Sequence, residues 1–381
     1  MHYAIVTETY PPEINGVALT VQSLEAGLRA LGRQVSLIRP RQARGEAAGS
    51  AQTLVAGIPL PGYATLRAGL PLAGQIDRNW RRDWPDAVYI ATEGPLGWAA
   101  LRAARRLGIP VATGFHTRFD MYMREYRVPW MEPVALAWLR RFHNGADAVL
   151  VPTRELQASL HARRFRRVRV LSRAVDTELF DPVRRNSAVR CRLGMDAESP
   201  LLIHVGRLAP EKNLRLAVRA FRQLQARCPG ARMVWVGDGP LRMRLEREHP
   251  DHLFMGILRG QALASVLASA DLLVFPSLSE TFGNVTLESM ASGVPVVAYD
   301  YGAAREHLCD GVHGAAIACH DETSFIAATA ALGADRRGLV EMGRAARAAV
   351  AGLSPRQVAA DFDRLLASLS DRRRPHADVA A

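Results

Sequence analysis

The chain of 381 residues is almost devoid of lysine. Its 49 basic residues comprise 48 arginines and one lysine, Lys212. Cysteine is also scarce, and no two cysteines have the C-x-x-C spacing, which argues against both a disulfide framework and a zinc site. We therefore expect a reducing, cytoplasmic environment. The four cysteines are Cys191, Cys228, Cys309 and Cys319.

Long apolar runs are missing as well, and we expect no leader peptide. No run of about 18 apolar residues occurs, so we expect no membrane-spanning helix. The first residues read directly as a strand and lack the charged region and cleavage site of a signal peptide. No Asp-x-Asp pair of the metal-binding kind stands beside the ligand site that we predict around Lys212 and Glu280. We therefore expect neither a metal nor a cofactor.

Negative charge is in deficit, since the formal net charge is +12. The excess arginines allow three interpretations: binding to nucleic acid, binding to an anionic membrane surface, or a solvated face. The clusters lack stacking aromatics and no nucleic-acid motif is present, so we expect no nucleic-acid partner. The other two interpretations carry equal weight. The clusters lie at positions 78–82, 102–106 and 163–169.

Short apolar strand candidates alternate with amphipathic helices along the chain. This pattern predicts parallel sheets, and the length favours two domains. A polar stretch at 181–186 interrupts the alternation and marks the linker. We predict two Rossmann-like domains that face each other across a cleft, and a tail that remains disordered. The predicted bounds are 1–182 for the first domain, 183–354 for the second domain, 355–371 for a helix returning to the first domain, and 372–381 for the tail.

The lone lysine lies in a loop between an apolar strand candidate and a helix. Arg207 and Lys212 fall in this loop, before a helix that we expect from about Asn213. Two cations at a helix N-terminus form a site for a diphosphate. A lysine kept in an arginine-rich chain indicates that position 212 needs a compact ammonium. The alternative is a loop lysine without function.

Two glutamates follow the strand candidate at 271–277. Glu280 falls on the turn after the strand, and Glu288 one or two turns into the next helix. Ligands of doubly wound sheets bind outside the carboxyl ends of the strands, where a carboxylate can accept hydrogen bonds from sugar or ribose hydroxyls. Gly283 allows a ligand to approach the backbone. The alternative is that both acids complement a helix dipole.

Five segments together resemble the family-four retaining glycosyltransferases, which have the GT-B fold, and the resemblance covers nearly the whole chain. The subgroup with His-Thr-Arg-Phe at 116–119 resembles GDP-mannose-dependent alpha-mannosyltransferases and other transferases that act on membrane glycolipids. Arg173 and Ala174 stand where many relatives have Asn-Gly. The five segments are residues 9–17, 115–117, 173–176, 206–212 and 280–288.

The resemblance implies that the first domain binds the acceptor and the second the nucleotide-sugar donor, and it implies a role for most of these segments. Arg207 and Lys212 hold the diphosphate, Glu280 binds the hexose and Glu288 binds the ribose diol. His116 lies near the reacting carbon, although a purely structural histidine is the alternative. With Glu280, Arg207 and Lys212 it forms the predicted catalytic set.

Further positions are implied for the donor and the acceptor. The remaining donor-binding residues are Gly16 at the phosphate, Met255 at the base, and the backbone of Phe282, Gly283, Asn284 and Val285. The implied acceptor-binding residues are Tyr10, Arg118 and Tyr122.

The implied activity is transfer of a hexose, with mannose from GDP-mannose favoured, onto a membrane lipid or lipid-linked acceptor. It implies retention of configuration, independence from metals and attachment to the inner face of the cell membrane. Three alternatives stay open. One is a UDP-sugar-dependent transferase acting on a glycolipid, a soluble glycan or a lipopolysaccharide glycan, the second is a nucleotide-sugar 2-epimerase of the same fold, and the third is a non-catalytic nucleotide-sugar sensor.

Overall fold

A computed structural model of the chain divides into two compact units. The first unit comprises Met1–Arg173 together with Pro355–Ala381, and the second comprises Ala174–Ser354. The structure describes residues 1–11, 16–42, 46–49, 51–60, 63–72, 74–116, 132–196, 198–278, 280 and 282–373.

The first unit contains an eight-stranded sheet in the order β4-β3-β2-β1-β5-β6-β7-β8. All neighbours are parallel except β3 and β4, which pair antiparallel. The central strands are buried along their whole length and consist of apolar residues, as expected for a parallel sheet covered on both faces. The strands are His2–Val6 (β1), Gln34–Pro40 (β2), Gln52–Leu60 (β3), Tyr63–Leu70 (β4), Ala87–Ile90 (β5), Val111–Gly114 (β6), Ala148–Val151 (β7) and Val168–Val170 (β8).

The helices of the first unit follow the strands as crossover connections. The described helices are Gly16–Ala30 (α1), Gln75–Arg82 (α2), Pro95–Leu107 (α3), Glu132–His143 (α4) and Arg154–Ala162 (α5). From β1 the chain adds strands first on one side of the sheet and then, from β5, on the other. The carboxyl ends of β1 and β5 therefore flank the switch point of this sheet.

The second unit contains a six-stranded, fully parallel sheet in the order β11-β10-β9-β12-β13-β14. This is the strand order of a dinucleotide-binding Rossmann sheet, with its switch point between β9 and β12. The strands are Leu201–Val205 (β9), Arg232–Val236 (β10), Leu253–Phe254 (β11), Leu272–Phe275 (β12), Val296–Tyr299 (β13) and Gly314–Ile317 (β14).

The second unit is covered by eight further helices among the residues that the structure describes. Within the same residues, none of the helices of either unit is both long and apolar enough to cross a membrane. The helices are Ser187–Arg192 (α6), Leu214–Gln225 (α7), Arg242–Glu248 (α8), Gly260–Ser269 (α9), Asn284–Ala291 (α10), Ala303–His307 (α11), Glu322–Ala334 (α12) and Arg336–Val350 (α13).

The last helix, Pro355–Arg373 (α14), belongs to the first unit. Phe362 packs edge-on against Tyr89 with ring centroids 5.0 Å apart. Asp363 accepts hydrogen bonds from Tyr3 Oη at 2.8 Å and from both Arg33 Nε and Nη2. The helix thus closes over the central strands β1 and β5 of a sheet that the chain began to build much earlier.

The second unit begins at Ala174, before the boundary placed at residue 182 from the polar linker sequence. Val175 and Phe180 are buried in the core of the second unit, and Arg347 binds the carbonyls of Thr177 and Phe180 and the carboxylate of Asp181. The polar segment is therefore a packed part of this unit. The tail predicted from residue 372 begins within α14, and residues 374–381 lie outside the described part.

Candidate active site

Two of the predicted site residues, Lys212 and Glu280, lie together at the switch point of the second unit. Lys212 ends a short 3-10 helix, Pro210–Lys212, that follows β9, and Glu280 follows β12. Lys212 Nζ donates a hydrogen bond to Glu280 Oε1 and forms an ion pair with it. Their side chains are only 15% and 17% exposed, so the ion pair is largely shielded from water.

Glu280 Oε1 receives a second donor from within the protein. Ser277 Oγ, whose residue is 1% exposed, donates to it at 2.7 Å. Tyr301 Oη in turn donates to the Ser277 carbonyl at 2.8 Å. Within the described part of the chain, Oε2 of Glu280 receives no hydrogen bond, so this oxygen is available to a ligand hydroxyl.

Backbone bonds hold the two loops of this cluster together. The Leu278 N–H donates to the Glu211 carbonyl at 3.1 Å, which ties the segment after β12 to the 3-10 helix after β9. Arg207 lies in the same loop as Lys212, but its side chain is 58% exposed and its Nη1 is 3.9 Å from Glu211 Oε1. One cation is therefore fixed by the fold, and the other is in solvent.

The start of α10 presents backbone rather than side chains. Gly283 precedes the helix with φ of 93°, a left-handed conformation that suits glycine. Phe282 and Val285 are 4% and 9% exposed and pack in the core, so only their backbone groups could reach a ligand. Asn284 is half-buried. A helix N-terminus with this geometry favours an anionic or strongly accepting ligand group.

Glu288 lies in the second turn of α10 and keeps a partly accessible side chain. Desolvation by the surrounding protein raises its pKa to about 7. Met255, after β11, is partly buried, and its N–H donates to the Trp235 carbonyl at 2.9 Å. Its backbone N–H is thus used by the sheet, which leaves the side chain and carbonyl for contact with a base.

In the first unit, His116 lies just beyond the carboxyl end of β6, and protein groups contact both of its ring nitrogens. Arg173 Nη2 lies 2.7 Å from Nδ1, and Tyr89 Oη lies 2.7 Å from Nε2. Guanidinium can only donate, so Nδ1 must be the acceptor and the neutral ring carries its proton on Nε2, which donates to Tyr89. Desolvation, followed by the Arg173 charge, holds the pKa of His116 well below its usual value.

Gly114 makes the contact between His116 and Tyr89 possible. A Cβ at position 114 would lie 2.3 Å from both His116 Nε2 and Tyr89 Oη. Because no side chain can stand there, the two polar groups meet across the end of β6. His116 is therefore a fixed, neutral group and not a free base in this structure.

The remaining residues predicted in the first unit are not gathered into one cluster. Gly16 is the exposed first residue of α1. Tyr10 Oη donates to Glu25 Oε2 at 2.5 Å, and burial, followed by this hydrogen bond, raises its pKa. The predicted acceptor residues Arg118 and Tyr122 lie outside the described residues.

Two carboxyl groups at the switch point of the first unit were not predicted from the sequence. Glu8 follows β1, and its Oε1 accepts from the Leu96 N–H at 2.8 Å; burial raises its pKa to about 7. Glu93 follows β5, and burial, with the Glu8 charge as a smaller cause, raises its pKa to about 7. Each of the two follows a strand that flanks the switch point, and this position could have been recognised from the sequence. The other residues missed are Ser277, Tyr301 and Tyr89.

Both units of the chain resemble known glycosyltransferases. Residues 14–179 match the family "Glycosyltransferase Family 4", and residues 199–335 match "Glycosyl transferases group 1". A GDP-mannose-dependent alpha-mannosyltransferase of Mycolicibacterium smegmatis is 36% identical over 315 residues, which cover 80% of this chain and 81% of that protein. The chain therefore belongs to the family-four glycosyltransferases, and the resemblance predicted from its motifs is confirmed.

Two further proteins extend the comparison. A GDP-mannose-dependent alpha-(1-6)-phosphatidylinositol dimannoside mannosyltransferase of Mycobacterium tuberculosis is 30% identical over 309 residues, 78% of this chain and 79% of that protein. The structure of sucrose-phosphate synthase from Thermosynechococcus elongatus superposes with a TM-score of 0.80 at 18% identity, covering 97% of this chain and 99% of that chain. The predicted GT-B fold is confirmed, and the protein is a glycosyltransferase.

Proposed function

We propose that the protein transfers a hexose, with mannose from GDP-mannose as the first candidate, onto a lipid or lipid-linked acceptor, with retention of configuration and without a metal. The Lys212–Glu280 pair at the switch point of the second unit carries this proposal. It joins a cation suited to phosphate and a carboxylate suited to sugar hydroxyls beyond the carboxyl ends of β9 and β12, which supports a nucleotide-sugar as the ligand. The mannosyltransferase relatives support the choice of donor.

The proposed reaction needs only groups of this chain and the two substrates. The bond between the sugar C1 and the diphosphate oxygen breaks, and the acceptor oxygen bonds to C1 on the same face. The acceptor proton passes to the departing phosphate oxygen. Lys212, Arg207 and the α10 N-terminus stabilise the charge that develops on the diphosphate, which is electrostatic catalysis. His116, being neutral and held at both nitrogens, contributes shape and polarity rather than proton transfer.

A panel of donors tests the proposal directly. GDP-, UDP- and ADP-sugars are added to the full chain, and the rise in melting temperature ranks their binding, because a ligand stabilises the folded state by mass action. The favoured donor is then assayed for transfer to lipid vesicles in EDTA and in magnesium. We expect GDP-mannose to give the largest shift and transfer to be equal in both. A larger shift with a UDP-sugar would replace the donor, and activity only with added metal would overturn the assigned roles of Arg207 and Lys212.

Glu280→Gln separates sugar binding from nucleotide binding. The variant loses the charge that strengthens bonds from sugar hydroxyls, so turnover should fall by roughly one to three orders of magnitude. Affinity for the bare nucleoside diphosphate should stay the same or rise, because Lys212 no longer has a competing carboxylate. If the substitution weakens binding of the bare diphosphate as much as it weakens binding of the full donor, Glu280 does not hold the sugar.

We further propose that the first unit docks on an anionic membrane surface through α4. Trp138 and Val134 are 53% and 64% exposed on this helix, and Arg141 is exposed one turn further on. Trp98 of α3 lies beside Trp138 with ring centroids 4.9 Å apart. Indole rings beside arginines suit a bilayer interface with anionic lipid.

Vesicle flotation tests the membrane proposal with a matched control. Trp138→Ser should lower the fraction bound to anionic vesicles severalfold, and binding of the wild type should weaken as salt rises. Trp84 is equally exposed at 53% and also follows arginines, but it lies outside α4, so Trp84→Ser should bind like wild type if α4 is the docking element. Equal binding to neutral and anionic vesicles, or equal losses in the two variants, would contradict docking through α4. The arginines would then only form a solvated face.

A further inference from the structure

Arg173 is a buried cation for which the described residues provide no carboxylate. It is 9% exposed, and only two other arginines among the described residues are similarly buried, Arg39 and Arg190 at 6% each. Each of these two is paired: Arg39 with Glu46 at 2.6 Å and Arg190 with Asp271 at 2.9 Å. The only hydrogen bond that Arg173 makes within the described residues goes to the neutral His116 ring.

The groups around Arg173 cannot neutralise it. Burial lowers the pKa of Arg173 only to about 10, so the guanidinium is still charged near pH 7. Burial also raises the pKa of Tyr89, which therefore remains a neutral phenol. His116 uses its lone pair on Nδ1 for Arg173 and is held at Nε2 by Tyr89. The cluster thus carries one positive charge, although a buried charge without a counter-charge is strongly unfavourable.

The position of this charge is the second observation. Arg173 follows β8, yet it reaches His116 after β6, and Tyr89 is in β5, so the three side chains meet at the carboxyl edge of the sheet. This is the edge at which doubly wound sheets bind ligands. The fold therefore orients a guanidinium, through a locked histidine, at a ligand-binding edge.

We propose that Arg173 is the counter-charge for a phosphate group that binds at the carboxyl edge of the first unit, with His116 and Tyr89 as the residues that position it. Two sources supply the same chemistry, the diphosphate of the donor and a phosphate carried by a lipid acceptor. The phosphate site itself rests on the buried charge and on its position at the carboxyl edge, whereas the choice between the two sources rests on the proposed function. A guanidinium suits this task because it binds phosphate oxygens in a bidentate manner.

The first experiment compares stability and anion binding without any sugar. The full-length wild type, Arg173→Gln and Arg173→Lys are melted with and without inorganic pyrophosphate, and Arg166→Gln, an exposed arginine of the same unit, controls for net charge. We expect Arg173→Gln to be at least as stable as wild type, since it removes an uncompensated charge, and to show a smaller pyrophosphate shift. Arg173→Lys should restore part of the shift. A clear loss of stability in Arg173→Gln with an unchanged pyrophosphate shift would show a structural role and overturn the proposal.

The second experiment assigns the source. Calorimetry gives the Kd of the nucleotide-sugar, and vesicle assays give KM for phosphatidylinositol and for neutral diacylglycerol. A tenfold or greater rise in donor Kd in Arg173→Gln assigns the donor phosphate. An unchanged donor Kd with a raised KM for phosphatidylinositol alone assigns the acceptor phosphate. If none of these constants changes while Glu280→Gln still loses transfer, the phosphate site is refuted and the proposed function stands.

If the wild type binds no nucleotide-sugar at all, the proposed function fails and the pyrophosphate comparison still decides the phosphate site.

Discussion

The two sheets of this protein each present a basic side chain at the carboxyl edge, but in different electrostatic states. In the second unit, Lys212 is neutralised by Glu280, which is in turn fixed by Ser277. In the first unit, Arg173 is also largely buried, and among the described residues its hydrogen bond goes to the neutral His116 ring. A paired cation can remain buried without a ligand, whereas an unpaired one favours the arrival of an anion. We therefore expect Lys212 to exchange Glu280 for a ligand on binding, and Arg173 to acquire a counter-charge that it lacks among the described residues.

Breaking the pair of the second unit should have the largest effect. Lys212→Ala removes the cation and leaves Glu280 largely buried without its counter-charge, so transfer should fall by about three orders of magnitude or more. Because the ion pair is largely buried, we also expect a loss of about 3 kcal/mol in the free energy of unfolding. The double variant Lys212→Ala/Glu280→Gln should recover much of the stability and none of the activity, measured by urea unfolding and transfer assays.

Lys212→Arg sharpens the same comparison, since it makes the second unit resemble the first in the type of cation. Charge is kept, but the planar guanidinium is bulkier and its donors are fixed in one plane, so turnover should fall at least tenfold. Arg207→Lys, in the exposed part of the same loop, is the control and should lose much less. Wild-type turnover in Lys212→Arg would remove the significance of the single lysine.

Removing the group that orients Glu280 should have a smaller effect. Ser277→Ala deletes the hydroxyl that donates to Oε1, and the loss of one hydrogen bond to a charged group corresponds to about a tenfold fall in turnover. Ser277→Thr keeps the hydroxyl and should retain more activity. Affinity for the bare nucleoside diphosphate should not change. An equal loss in both variants would point to packing rather than to the hydrogen bond.

The pH dependence of donor binding should show the smallest effect. Glu288 has a pKa raised to about 7, so it is protonated below that pH and becomes an ionised acceptor for the ribose hydroxyls above it. The Kd for the nucleotide-sugar should therefore fall about tenfold between pH 6 and pH 8. The intact donor is the right probe because its diphosphate does not titrate in this range. Glu288→Gln should give a flat profile, and a wild-type profile that is also flat would contradict the assignment.

The sequence predicted the elements whose pattern is locally strong. Continuous apolar strands such as β9 and β12 gave the second sheet, and their positions were sufficient to expect Lys212 and Glu280 near one another. The apolar pattern of the sequence did not predict β3, β4 and α2. The two strands form an antiparallel extension in which Gly57, Pro59 and Gly69 weaken the apolar alternation, and α2 buries only Ile76 and Trp80.

The contacts that define the state of each site were beyond the reach of sequence patterns. Arg173, His116 and Tyr89 come from three strands, and nothing in their spacing shows that they meet. Ser277 and Tyr301 are ordinary residues of a loop and of the segment after β13. Their roles depend on tertiary geometry, which fixes which oxygen of Glu280 is occupied. The sequence supplied the chemical groups, and the fold determined their partners.

The return of α14 to the first unit sets an order of events during synthesis. Phe362 supports Tyr89, and Asp363 holds Tyr3 and Arg33, but the ribosome makes these residues only after the whole of Ala174–Ser354. The second unit is one continuous stretch and can fold as soon as it emerges. The first unit lacks the packing of Phe362 on Tyr89 until α14 has been made. Tyr89, which contacts His116, is therefore unsupported by α14 until late in synthesis, and a chain cut short before residue 355 would carry a complete second unit and an incomplete first unit.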